Sequence, residues 1–350
     1  MNYSVPKMLE ILVGGRGLVL ATVVEVEGST PQVVGASAIF SEAGLEAGTV
    51  GGGLLEARVE AAARKALRDG KARLVGVRLD ADPADLEGAI CGGAAKVLVD
   101  PGVGRERAAF EAARVGLRNG RPGYLIAGIG RGEGDVVEVE RYWLSADEAA
   151  KTRLDVLAAV AIDDFAADLV YRPRAVESGG RLVFVELVQA LPRLVIAGAG
   201  HVGRAVARLG SLLDFSVTVV DDRPEFANNE NIPEADKIVV GDIGRSLGEI
   251  APSARDYYVI VTRGHQKDAE ALRAVVGRPA AYIGMIGSAG KIEAMAAEFL
   301  ENGWATAEQW AEVHAPIGLK IGSKTVEEIA VSIAAELVLV RNERRAAGPA

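Results

Sequence analysis

Residues Arg193 to Asp222 read RLVIAGAGHVGRAVARLGSLLDFSVTVVDD, and this stretch decides the fold. Leu194, Val195 and Ile196 form a short apolar run with the character of a buried parallel strand. Gly198, Gly200 and Gly203 follow at GxGxxG spacing, and Val202, Val206, Leu209 and Leu213 recur at helical intervals. Phe215 to Val220 reads as a second strand that ends at Asp221. In such a unit one glycine makes the tight turn, one lets a phosphate approach the backbone, and one lets helix and strand pack closely. The helix N-terminus adds unpaired N–H groups and a positive dipole end for an anion. A lone GxGxxG means little, because glycine also closes ordinary turns. Strand, glycines, helix, second strand and terminal acid in that order specify a dinucleotide-binding fold, though not the use of a nicotinamide cofactor.

Working outward, the alternation of strand and helix continues to the end of the chain. Lys237–Val240, Tyr257–Val261 and Ala280–Ile286 read as strands, the second ending at Thr262-Arg263-Gly264-His265 and the third at Gly287-Ser288-Ala289-Gly290-Lys291. Helices are expected over Gln266–Val276, over the segment carrying Ile292, Met295, Ala296 and Phe299 on one face, and after Thr325 and Glu328, which have capping-box spacing. Before the glycine motif the pattern is different. Leu18–Val26, Ala36–Phe40, Leu45–Ala47, Arg73–Leu79 and Lys96–Val99 read as strands, with helices after Gly53 and over Arg105–Asn119. Tyr124–Ile129 and Val136–Tyr142 form a hairpin, and short strands are expected around Asp168–Tyr171 and Arg181–Leu187. The expected architecture is therefore α/β: a mixed N-terminal domain over residues 1–190, then a Rossmann-like, doubly wound parallel-sheet domain over 191–350.

Composition narrows the function classes. Lys plus Arg number 39 against 48 Asp plus Glu, for a net charge of −9, and no basic stripe interleaved with aromatics appears, which argues against nucleic acid as a partner. The single cysteine excludes an intramolecular disulfide and fits a reducing cytosol. No apolar run approaches the length of a membrane span, and the first residues lack a signal-peptide pattern, so the expected location is cytoplasmic.

Candidate chemistry gathers at four places. Gly51, Gly52 and Gly53 open onto a helix and form either a second anion cradle or a plain tight turn. Cys91, followed by Gly92 and Gly93, is either a functional thiol (metal ligand, sulfur acceptor or nucleophile) or a small buried residue beside a turn. His201 lies inside the glycine motif and His265 follows the strand expected beside it, so topology brings their loops to the point where strand order reverses; the alternative is two solvated loop histidines. Asp221 has the place of a carboxylate that grips a ribose. His314, before Pro316, reads as a structural or surface residue in a loop. No Tyr-x-x-x-Lys pair, Walker loop, HExxH or paired CxxC is present. An NAD-dependent oxidoreductase thus has a binding fold but no visible hydride-transfer constellation, and a docking protein with a vestigial nucleotide fold is a third reading.

Taken together, GSTPQVVGASAIF, GTVGGGLLEARV, AICGGAAKVLVDP, LVIAGAGHVG, VTVVDDRPEFAN, VIVTRGHQKDAEALR, YIGMIGSAGKIEAM and APIGLKIGSKTVEEIAVSIAAEL resemble the XdhC/CoxI family, accessory proteins of molybdenum hydroxylases such as xanthine dehydrogenase. The resemblance implies a chaperone rather than an enzyme. Such a protein binds the molybdenum cofactor (molybdopterin) as cargo, protects it, supports its sulfuration with a cysteine desulfurase and delivers it to an apo molybdenum hydroxylase. A homodimer is also implied. The implied cofactor-binding set is Gly51–Gly53, Cys91–Gly93, Gly198, Gly200, His201, Gly203, Asp221, Thr262, His265, Ser288 and Lys291, with Cys91, His201 and His265 as candidate molybdenum contacts. One departure from the family pattern is Ala289-Gly290 between Ser288 and Lys291, where basic residues are expected, so a basic hold on the cofactor phosphate is weaker or supplied elsewhere.

Overall fold

Alternation along single strands builds both halves of this molecule. The computed structural model describes residues 5–78, 92–149 and 173–347, and the chain divides into two compact units, Met1–Ala190 and Leu191–Ala350.

The N-terminal unit is one nine-stranded, wholly antiparallel sheet. Its strands are β1 (Val19–Glu27), β2 (Ser37–Ser41), β3 (Gly44–Gly48), β4 (Ala72–Arg78), β5 (Ala94–Asp100), β6 (Gly123–Arg131), β7 (Val136–Ser145), β8 (Arg174–Ser178) and β9 (Arg181–Val188), in the order β3-β2-β1-β5-β4-β7-β6-β9-β8. Helices α1 (Val5–Gly14), α2 (Gly53–Asp69) and α3 (Arg107–Arg118) and the short turn α4 (Ala146–Ala149) complete it. Successive side chains of β1 go to opposite faces. Val19, Ala21 and Val23 pack with Leu55, Val59 and Ala63 of α2, whereas Leu20 joins Met8 and Leu9 of α1 and Phe110 of α3. Helix α2 stops at Gly70, whose left-handed backbone returns its N–H to the Ala66 carbonyl. The strand expected at Asp168–Tyr171 lies outside the described residues. Helix α1 and strand β8 had no sequence counterpart.

The C-terminal unit is a six-stranded parallel sheet. Strands β10 (Arg193–Ala197), β11 (Ser216–Asp221), β12 (Lys237–Val240), β13 (Asp256–Ile260), β14 (Tyr282–Met285) and β15 (Val313–His314) lie in the order β12-β11-β10-β13-β14-β15. The chain leaves β10 toward one edge, returns, and goes on from β13 toward the other, so strand order reverses between β10 and β13. Helices α5 (His201–Leu212), α6 (Ile243–Glu249), α7 (His265–Val275), α8 (Ala289–Glu301), α9 (Ala307–Ala311) and α10 (Val326–Ala347) complete the unit. Leu194 and Ile196 face a core shared with Val206 of α5 and Ile333 and Leu337 of α10. Val195 and Ala197 face the other, with Leu247 of α6, Leu272 and Val275 of α7, and Met295 and Phe299 of α8. This is the doubly wound arrangement that the glycine motif implied.

Two local expectations are met differently. Thr325 and Glu328 do exchange capping bonds before α10, at 3.2 and 3.0 Å. His314, however, is not in a loop: it lies in the edge strand β15, its ring 4.5 Å from that of Tyr282 and its Nδ1 3.3 Å from Glu336. Among the described residues, no helix is long and apolar enough to cross a membrane.

Candidate anion-binding crevice

At the reversal between β10 and β13, two loops touch. Gly198 has φ +114°, and a Cβ there would lie 2.5 Å from the Val261 carbonyl oxygen and 3.1 Å from the Thr262 Cα. A Cβ on Gly203 would lie 1.9 Å from the Gly198 carbonyl oxygen, so this glycine lets α5 seat directly on its own turn. Gly200 is different: a Cβ there meets nothing within 4 Å, and its φ of −71° suits any residue. The middle glycine therefore faces open space, where a ligand could approach the backbone.

The two helices that start at these loops begin alike. Gly200 caps α5 and Gly264 caps α7, each followed by a histidine, and neither helix receives a side-chain cap. Elsewhere in this unit Asp242, Ser288 and Thr306 side chains cap α6, α8 and α9. The first N–H groups of a helix have no intrahelical partner. Two uncapped helix starts on loops in contact thus set two positive dipole ends at one crevice, on the carboxyl side of the sheet. His201 and His265 stand at the first helical positions of α5 and α7, both exposed. Among the described residues His201 has no hydrogen-bonding partner, whereas His265 Nε2 lies 3.0 Å from Glu298 of α8. Arg263 reaches from the β13 loop to Asp222 beyond β11, at 3.3 Å. Since β10 lies between those strands, this pair links the loops on either side of the Gly198–Gly200 turn.

Other expected site residues are engaged in structure. The carboxylate of Asp221, a buried residue, accepts from the Ala199 N–H at 2.7 Å and from Arg223. Burial pushes this carboxyl up, but the Arg223 guanidinium and the Ala199 and Arg223 N–H groups outweigh it and hold it below the ordinary value. Thr262 and Lys291 meet at Asp268, a residue that no sequence motif singles out. Asp268, fully buried on α7, accepts from the Thr262 N–H at 3.1 Å and hydroxyl at 2.5 Å, and pairs with the Lys291 ammonium. Ser288 spends its hydroxyl on the Lys291 N–H as the cap of α8. Asp268 had a legible signal: an acid at helical spacing with Ala271, Leu272 and Val275 on the apolar stripe of α7.

In the N-terminal unit three motifs distant in sequence converge. Gly93 packs so tightly that a Cβ would lie 2.2 Å from the Ser29 carbonyl oxygen, and Gly92 bridges to Ser29. Gly51, with φ +130°, abuts Pro31. The Gly28–Gln32 segment therefore joins the Gly51–Gly53 loop to Gly92–Gly93. Gly52 caps α2 with no side-chain bond, and nearby Glu56 Oε1 is buried with no partner among the described residues. Cys91 lies outside the described residues. Among those described, no group of three His, Cys, Asp or Glu side chains is placed to hold a metal ion.

Comparison with known proteins gives a consistent picture. Residues 194–337 match the XdhC Rossmann domain, and residues 12–78 match the XdhC and CoxI family. A probable xanthine dehydrogenase subunit of Bacillus subtilis is 27% identical over 92% of this chain and 93% of its own length. An uncharacterized Escherichia coli protein, YqeB, is 35% identical over 47% of this chain, a match that spans only 30% of YqeB. In three dimensions, a crystal structure of a xanthine dehydrogenase from Bacillus halodurans superposes with a TM-score of 0.79 at 25% identity, covering 98% of this chain and 97% of the other.

Proposed function

This chain belongs to the XdhC and CoxI family, and on that premise we propose that it is an accessory factor of a molybdenum hydroxylase that carries the molybdenum cofactor to the apo-enzyme. One observation supports this reading above the rest: two uncapped glycine–histidine helix starts, carried by loops that touch at the strand-order reversal. Molybdopterin ends in a phosphate, and paired helix N-termini bind a phosphate through backbone N–H groups without spending a side chain. Gly200 leaves the approach open, and Arg263 and His201 add donors at its mouth. Lys291 contributes indirectly, since its charge offsets Asp268 and so fixes the loop that carries Arg263.

A carrier needs enclosure and retention more than acid–base catalysis. The metal held by the pterin's dithiolene would offer open coordination positions, which a thiolate or an imidazole can fill. Cys91, the single thiol of the chain, is the proposed acceptor for sulfur or contact for the metal, with His201 and His265 as the imidazole candidates. Sulfuration by a cysteine desulfurase, a homodimeric assembly and a cytoplasmic location complete the proposal.

The test is to purify the protein from cells that make molybdopterin and to assay bound molybdenum and pterin fluorescence. Pterin and metal that co-purify, and that activate an apo-hydroxylase on mixing, are the expected result. Protein free of pterin under those conditions contradicts the carrier role. Cys91→Ser should fold normally yet reduce cofactor retention or sulfur loading, and unaltered stoichiometry with undiminished client activation would remove the thiol from the proposal.

A further inference from the structure

The dinucleotide-binding fold carries an expectation that the Asp221 geometry does not meet. In such folds the acid at the end of the second strand accepts hydrogen bonds from the ribose hydroxyls of the adenosine half. Asp221 stands at that place, at the end of β11. An ionised carboxylate offers about four lone-pair sites. Here Oδ2 accepts from the Ala199 N–H at 2.7 Å and from Arg223 Nη2 at 2.8 Å. Oδ1 accepts from the Arg223 N–H at 3.0 Å and from Arg223 Nε at 2.9 Å. All the sites are taken, and the side chain is 2% exposed.

Arg223 is well held in this position. Its fork meets the carboxylate in the bidentate geometry that makes such pairs strong. Its guanidinium lies 4.2 Å from the centroid of the Phe226 ring. The neighbouring acid offers no substitute, because Asp222 already faces Arg263 at 3.3 Å and Arg223 at 3.9 Å. A ribose entering here must displace a stacked, bidentate arginine to gain two hydroxyl contacts.

We propose that Arg223 is a specificity-determining residue: by saturating Asp221 it closes the crevice to the adenosine ribose of nicotinamide dinucleotides and reserves the helix N-termini for phosphate-bearing ligands that lack this ribose. The acid of the fold acts instead as a clamp on the glycine turn, through the Ala199 N–H. This inference rests on the geometry of Asp221 and Arg223 and is independent of the cargo proposed above.

Calorimetric titration of the full chain with NAD+ and with ADP-ribose tests it. The parent should show no saturable binding of either. Arg223→Met keeps an unbranched stem on Phe226 and frees two acceptor sites, and it should gain binding by about tenfold or more, the scale of hydrogen bonds to a charged acceptor. Arg223→Lys keeps the positive charge but cannot fork, so it should gain in the same direction, and it decides the question if the Met variant does not fold. Saturable binding of either nucleotide by the parent overturns the proposal. So does a folded Arg223 variant that binds no more tightly than the parent. Neither result bears on pterin retention, so failure here and failure of the carrier role are separately visible.

Discussion

Gly198 and Val261 bring the two crevice loops into contact, with a Cβ on Gly198 destined to lie 2.5 Å from the Val261 carbonyl oxygen. That contact fixes the spacing of the helix starts at Gly200 and Gly264. Gly198→Ala meets both a backbone clash and a φ of +114°. We expect it to destabilise the C-terminal unit by about 2–4 kcal/mol, measured by denaturant unfolding. A loss below about 0.5 kcal/mol would mean that the loops separate freely and do not define one site.

Gly200→Asp should behave in the opposite way. Its backbone is extended and its side-chain space is empty. An aspartate there can cap α5, worth a few tenths of a kcal/mol over glycine, so the melting temperature should hold or rise. The same carboxylate occupies the anion approach and repels a phosphate. Stability kept and anion affinity lost is the expected pairing; a cap that stabilises while leaving phosphate affinity intact contradicts a ligand site at α5.

How much of this was legible in the sequence depends on whether the signal was local. The β10–α5–β11 unit could be read because its strand, glycines, helix and acid are consecutive. Strand β8 is hard to see although Ser178-Gly179-Gly180-Arg181 is a two-residue hairpin turn with both glycines at positive φ; the strand itself is only five residues long. Helix α1 does carry a helical signal, Val5, Met8, Leu9 and Leu12 at i, i+3, i+4 and i+7, but the further apolar residues Ile11 and Val13 blur it. The convergence of Gly28–Gln32 with Gly51 and Gly93 was out of reach, because it requires β1 to pair with β5 across many intervening residues. The roles of Asp221 and Lys291 differ from expectation for one reason: a motif gives a residue its place, while its partners, Arg223 and Asp268, decide whether it is free to meet a ligand.

The Lys291–Asp268 pair separates a structural from a ligand-binding lysine. Asp268 is fully buried and Lys291 is 24% exposed. Lys291→Met leaves the carboxylate with only the Thr262 donors and should cost about 2–4 kcal/mol in unfolding experiments. Adding Asp268→Leu should recover part of that loss. If Lys291→Met leaves stability unchanged but weakens anion binding, the ammonium serves the ligand directly.

In the N-terminal unit, Asp100, Glu106 and Arg141 form a buried group, with Arg141 Nη1 donating at 2.6 Å to each acid. Burial pushes Glu106 up to about 7 against the pull of Arg141, with the Asp100 carboxylate adding to the rise. Burial lifts Glu186 to about 7 as well, again opposed by Arg141. The folded state therefore keeps protons that the unfolded chain, at its ordinary value of 4.5, has released. The stability these groups contribute is complete below 4.5 and is lost as pH rises through about 7. Glu106→Gln mimics the protonated acid, so thermal melts of the variant should fall less over that window and lie above the parent at higher pH. Parallel melting profiles would exclude proton uptake at Glu106.

The central claim is that the Gly200 and Gly264 helix starts hold the phosphate of a pterin cargo. Titration of purified apo-protein with molybdopterin under anaerobic conditions, followed by pterin fluorescence, tests it most directly when parent and Gly200→Asp are run side by side. The parent should bind saturably, inorganic phosphate should compete, and the variant should lose at least about tenfold in affinity while melting no lower than the parent. Equal affinity in a well-folded Gly200→Asp protein, or binding that phosphate does not disturb, would contradict the claim and place the cargo away from this crevice.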